Sequence, residues 1–153
     1  MNEYIEPYQR ATLNVIEMMA FVKPLTAKPF IKKDKVARGD ISGIISISGS
    51  KSGVMVISLS KGAICKIVGS MFGEEYTEIN DEVKDAVGEL TNMISGDARK
   101  ILAEKGLTLE AGIPSIIVGK GHEISNLSNG QCLSIPFKVD AFPFVIEISF
   151  NKD

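Results

Sequence analysis

Residues 81–106, DEVKDAVGELTNMISGDARKILAEKG, are the longest stretch of unbroken helical periodicity in this 153-residue chain. Val83, Val87, Leu90, Ile94, Ala98 and Ile101 recur at steps of three or four and form one apolar stripe. Acidic residues crowd the start and Lys/Arg the end, which suits the helix dipole. Asn80 or Asp81 can cap the helix, and Gly106 can end it in a left-handed conformation. At about 100° per residue, Asp85, Glu89, Asn92 and Gly96 fall together opposite the stripe. An acid and an amide three residues apart there stand side by side and point away from the core. An ordinary solvated helix face has the same pattern, so the rest of the chain must decide its meaning.

Upstream, residues 4–21 read as a first helix with Tyr8, Ala11, Val15, Met18 or Met19, and Val22 inward, and Pro7 in its first turn. Residues 23–38 hold the main basic concentration, with Lys23, Lys28, Lys32, Lys33, Lys35 and Arg38. A short strand over 29–33 is expected there, as a solvated basic edge or as an electrostatic guide for an acidic partner. Asp40–Gly49 alternates Ile with Ser and Gly. Gly53–Ser60 is apolar on both faces, which predicts a central strand covered on both sides and paired with the first in an antiparallel hairpin. Ser60 can cap a second helix over Lys61–Met71, closed by Gly73.

Downstream of the long helix, Ser115–Gly119 reads as a short strand and 119–131 as a loop. Leu133, Ile135, Phe137 and Val139 alternate as one half-buried strand, and Phe144, Ile146, Ile148 and Phe150 as another. Asp140–Pro143 is the turn between them, and Pro136 predicts a free edge on its strand. The order of elements predicts one α+β domain over residues 1–153, a largely antiparallel sheet packed against long helices.

Composition narrows the function. Seventeen Lys and Arg against nineteen Asp and Glu give a net charge of −2, without the basic excess of a nucleic-acid binder. No apolar run is long enough to span a membrane. The start, MNEYIEPYQR, lacks the apolar core of a signal peptide, so a cytoplasmic protein is expected, with Cys65 and Cys132 as reduced, half-buried thiols. The single histidine, His122, lies in the Gly-rich loop, which argues against a zinc site and a Ser/His/Asp triad. Gly49-Ser-Lys-Ser-Gly53 lacks the frame of a phosphate-binding loop.

Glu-x-x-Asn as a string is weak, and a second copy, Glu123–Asn126, lies in the expected loop. At Glu89 the context is stronger, because Gly88 and Gly96 flank the pair. A glycine costs about 1 kcal/mol in a helix interior, so two of them suggest close approach by a partner's backbone. The stretch DAVGELTNMISGDARKIL, with the upstream DISGIISISG and GVMVISLSKG segments, resembles the CheX branch of the CheC/CheX/FliY family of chemotaxis phosphatases. The likeness runs from the first helix to the last strand. It is most specific in Gly88-Glu89-Leu90-Thr91-Asn92-Met93-Ile94-Ser95-Gly96.

This resemblance implies hydrolysis of the aspartyl phosphate on a CheY-type response regulator. Asn92 would orient the attacking water, and Glu89 would pair with the regulator's active-site lysine. Asp85, Gly88 and Gly96 would line the contact. The chain would bind no cofactor itself, since the regulator brings its own Mg²⁺, and it would be a homodimer joined along the sheet. CheC-like members carry two Glu-x-x-Asn helices; here the first helix has the reversed Asn14-Val-Ile-Glu17, which leaves one site. Asp97 stands where the family pattern has asparagine, and its periodicity leans it toward the core as a structural residue. Two other functions fit the same sequence. One is a docking module for a regulator or flagellar switch component that does no hydrolysis; the other is a small-molecule binder with an apolar cavity.

Overall fold

The computed structural model describes residues 2–34, 37–121 and 130–152. They form three helices and eight strands: α1 (Asn2–Ala20), β1 (Leu25–Thr26), β2 (Phe30–Lys32), β3 (Ile41–Gly49), β4 (Gly53–Leu59), α2 (Lys61–Phe72), α3 (Asp81–Glu104), β5 (Leu109–Ala111), β6 (Ser115–Val118), β7 (Cys132–Val139) and β8 (Phe142–Phe150). The strands make one antiparallel sheet in the order β1-β7-β8-β4-β3-β5, with β2 beside β1 on β7 and β6 beside β5 on β3.

Strand alternation explains the layers. Ile41, Ile45 and Ile47 of β3, Met55, Ile57 and Leu59 of β4, Phe144, Ile146 and Ile148 of β8, and Leu133, Ile135, Phe137 and Val139 of β7 point to the helices. They meet Tyr8, Ala11 and Val15 of α1 and the expected stripe of α3, all buried. Phe137 and Phe144 stack with centroids 5.0 Å apart. Of the two methionines offered for α1, Met19 packs on the core and Met18 is exposed.

On the opposite face of the sheet, Ala37, which precedes β3, packs on Val54 and Val56 of β4 with Ile44 beside them. This double cover accounts for the two apolar faces of β4. It also overturns two expectations. Lys32 is buried rather than part of a solvated basic edge, and Glu147, which alternation placed on the wet face of β8, is buried too. Their charges meet, with Lys32 Nζ 3.0 Å from Glu147 Oε1 and 2.9 Å from Oε2. Only the first contact is directed along an N–H; the second is electrostatic, with Oε2 making no hydrogen bond. Arg38 pairs with Asp34 at 3.0 Å, so charges of the basic segment are partly spent within the chain.

Pro136 marks a gap rather than a free edge. Strand β7 carries β1 and β2 on its outer side, and Ala27 N–H donates to Pro136 O at 3.1 Å between them. In an antiparallel strand a residue's N and O point the same way, so the missing N–H faces that break. Strands β1 and β5 were not foreseen, and β8 begins at Phe142, leaving only Asp140 and Ala141 in the turn.

Caps set the helix ends. Ser60 accepts from Ala63 N–H at 3.2 Å at the start of α2, and Gly73 closes it at φ 68°. Asn80 accepts from Val83 N–H at 2.9 Å at the start of α3, with Asp81 and Glu82 in the first turn. The expected basic end is one turn early: Arg99 and Lys100 precede a last turn without cations, while Lys105 at the C-cap reaches Glu6 of α1 at 3.6 Å.

Gly43 determines how closely α3 sits on the sheet. A Cβ there would lie 2.1 Å from Thr91 Oγ1 and 3.2 Å from Val87 Cγ1. The buried Thr91 hydroxyl bonds Val87 O at 2.6 Å, so it already has its partner within the helix and is fixed in place. Gly43→Ala therefore overpacks the sheet–helix contact and is expected to destabilise by about 1–3 kcal/mol. A lower urea midpoint at unchanged slope would show it.

Candidate functional site

The outer face of α3 presents what the sequence placed there. Asp85, Glu89 and Asn92 are exposed, and Gly88 and Gly96 are partly exposed. Glu89 and Asn92 are separated by one step of three, about 4.5 Å along the axis, so their side chains share a patch. On the buried side Leu90, Thr91 and Ile94 hold the helix to the core. The pair thus stands on a rigid 24-residue helix rather than a loop.

The two glycines have no packing reason inside the molecule. A Cβ on Gly88 would touch only Ile116 Cδ1 at 3.9 Å, and one on Gly96 only an Arg99 guanidinium nitrogen at 3.7 Å. Both are ordinary contacts, so alanine would fit at either place. What the glycines leave is a smooth strip of helix backbone beside Glu89 and Asn92.

Helix α1 runs antiparallel along one flank, as the pairs Glu6–Lys105 and Asn14–Asp97 require. Asn14 Nδ2 donates to Asp97 Oδ2 at 3.4 Å. Asp97 is partly buried and bonded, consistent with the structural role expected of it, and Asn14 of the reversed motif is engaged in that contact. Between the helices lies an open groove of about 350 Å³, floored by Val15, Met18 and Met93. A larger open groove of about 850 Å³ runs along α2, Tyr76 and Phe142, away from the pair. Both grooves are open to solvent.

Other chemistry finds little footing among the described residues. No group of three or more His, Cys, Asp or Glu is placed to hold a metal ion. No helix is long and apolar enough to cross a membrane. Cys65 and Cys132 are buried free thiols. Burial pushes both thiols up, Cys132 to about 11, so neither is a ready nucleophile. The Tyr76 hydroxyl lies between the carboxylates of Glu82 and Glu74, sharing its one hydrogen between them, and the bond to Glu82 above all pushes it above the usual range. His122 and the second Glu-x-x-Asn, at 123–126, lie outside the described residues.

The family model of the chemotaxis phosphatase CheX matches residues 41–138, which contain the hairpin, α2, α3 and most of β7. The chain belongs to the CheX family. The CheX chain of Vibrio vulnificus superposes with a TM-score of 0.90 at 39% identity, over 97% of this chain and 99% of that one. A CheX-CheY-BeF3-Mg²⁺ complex from Borrelia burgdorferi includes a similar chain, with a TM-score of 0.82 and 27% identity over 97% and 98% of the two chains. The CheY-P phosphatase CheX of Thermotoga maritima is 27% identical over 119 residues, 77% of this chain and 76% of that protein. These likenesses establish the α+β fold of CheX for this chain.

One charged group on the CheX face escaped the sequence reading. Arg99 follows Gly96 by three and Asn92 by seven, and is only partly exposed. Periodicity alone gave the signal, since seven residues return a helix to within about 20° of the same direction.

Proposed function

We propose that this chain hydrolyses the aspartyl phosphate of a CheY-type response regulator by laying the outer face of α3 into the regulator's active site. The observation that carries this is the exposed Glu89–Asn92 pair on the free face of α3 in a chain of the CheX family. The relative from Thermotoga maritima named for CheY-P and the Borrelia burgdorferi complex with CheY support the choice of partner.

The chemistry suits residues of this kind. Hydrolysis of an acyl phosphate needs a water in line with the breaking P–O bond, and most of the catalysis is positioning. The regulator supplies Mg²⁺ and a lysine that neutralise the phosphoryl oxygens. An amide orients water without titrating, which is the role of Asn92; it cannot serve as a base. Glu89, an ionised neighbour one turn earlier, anchors the helix on the regulator's lysine. Asp85, Gly88 and Gly96 complete the contact, the glycines by letting the partner's backbone approach. A homodimer joined along the sheet belongs to the same reading and is tested by the molar mass in solution.

Phosphate release from phosphorylated CheY is the test. The chain is expected to exceed the regulator's own decay, and Glu89→Ala to raise KM about thirtyfold or more, since truncating one partner of a charge pair buried on docking costs on the order of 2 kcal/mol or more. Release no faster than unaided decay would favour the second reading, in which the same exposed face docks a regulator or flagellar switch component without hydrolysis.

A further inference from the structure

We infer that Arg99 is a second docking residue of the α3 face, reading a carboxylate on the rim of the regulator's active site. The inference rests on the function proposed above and adds to it an orientation for the bound helix.

Three observations carry it. First, Asn92, Gly96 and Arg99 follow one another at steps of four and three and share one side of the helix, with Arg99 about 20° from Asn92 and Gly96 about 40° to its other side. Second, the Arg99 guanidinium folds back toward the helix N-terminus. Its Nη2 lies 3.7 Å from where a Gly96 Cβ would be, as the tilt of helical side chains favours. Glycine at 96 leaves the space above it clear. Third, Arg99 has no hydrogen-bond or ion-pair partner among the described residues, and its buried Nε is unsatisfied. The nearest carboxylate in sequence, Asp97, is turned to Asn14 on α1. The buried, unpaired Tyr8 hydroxyl of α1 lies within its electrostatic reach, but with no anion beside it the half-buried guanidinium has given up part of its hydration for little in return.

The occupant follows from the geometry. The guanidinium lies near Gly96, about 6 Å along the axis from Asn92, so it stands beside the phosphoryl position rather than on it. Its planar fork matches a carboxylate in two parallel hydrogen bonds. The face therefore carries Asp85 and Glu89 on one side of Asn92 and Arg99 on the other. A regulator presenting a lysine toward the first and a carboxylate toward the second can accept the helix in one direction only. The reversed direction would put like charges together.

Steady-state phosphate release from the cell's phosphorylated CheY tests this with Arg99→Gln, Arg99→Met and Arg99→Lys, each first checked for wild-type helical content and melting temperature. Arg99→Gln is expected to raise KM about tenfold, the value of one charge-assisted contact, with kcat within about twofold. Arg99→Met keeps the apolar stem and is expected to behave alike, which covers a folding defect in the Gln variant. Arg99→Lys is expected to recover most of the loss. The KM of wild type should rise with salt more steeply than that of Arg99→Gln. Unchanged KM in both neutral variants would overturn the inference. So would a fall in kcat at constant KM, which would place the guanidinium on the phosphoryl group. If hydrolysis itself is absent, the dissociation constant for CheY loaded with BeF3 and Mg²⁺ reads the same contact. A tenfold loss in Arg99→Gln then supports the docking role, and no loss overturns it, whatever becomes of the phosphatase reading.

Discussion

Asn92→Ala is expected to reduce the phosphatase kcat by about 10²-fold or more while leaving binding to the regulator within about twofold. The reasoning is geometric. A catalyst that only positions water loses its whole contribution when the positioning group goes, and misplacement by about 1 Å can already cost two decades. Asn92 is exposed on a helix whose far side is buried, so the truncation removes an amide and disturbs no packing. Stability should move by less than about 0.5 kcal/mol, as for surface substitutions away from caps and cores. Single-turnover decay of phosphorylated CheY would show the loss, and titration with CheY carrying BeF3 and Mg²⁺ would show the retained affinity. Full activity in Asn92→Ala and also in Glu89→Ala would remove the site from α3 even with the activity intact.

The second large effect concerns the sheet. Glu147→Ala is expected to destabilise the fold by about 3–5 kcal/mol, because it leaves the buried Lys32 ammonium with only the longer contact to Asp34, at 3.9 Å. Burial pushes the Glu147 carboxyl above its ordinary range, against the pull of Lys32 and Arg38. Desolvation is thus the largest influence on this group, and a buried pair of this kind often adds no more stability than apolar side chains of the same volume. Lys32→Met combined with Glu147→Leu is therefore expected to be neutral or stabilising by as much as about 4 kcal/mol. Urea unfolding of the two single variants and the double would give the coupling. A double variant as damaged as Glu147→Ala would show that the ion pair, not its burial, holds β2 to the sheet.

These residues show where sequence reasoning reached and where it stopped. Helix α3, its Asn80 cap and its outward pair were legible because one periodicity reports both packing and exposure. The β3–β4 hairpin and the cap at Ser60 were legible for the same local reason. Lys32 and Glu147 were not, since each looks like a surface charge until β2, β7 and β8 are brought side by side and the two are buried together. The pairing joins positions on different strands that no local pattern connects. Strands β1 and β5, two and three residues long, are too short to show alternation and exist through pairing with β7 and β3. Arg99 was visible at the right spacing, but its lack of a partner is a three-dimensional fact.

The seat of Thr91 on Gly43 sets more than a distance. It works as a key in a keyway: the threonine fills the space that the missing side chain of Gly43 leaves in strand β3, and with the buried stripe it helps fix the rotational setting of the helix. A turn of α3 about its axis would swing Glu89 and Asn92 toward the sheet on one side or toward α1 on the other. The angular phase of the outer face is thus indexed by a residue that has no side chain and touches no partner. Substitutions at Gly43 are expected to shift the direction the helix presents as well as to lower its stability, so loss of function there would imitate a lesion in the site itself.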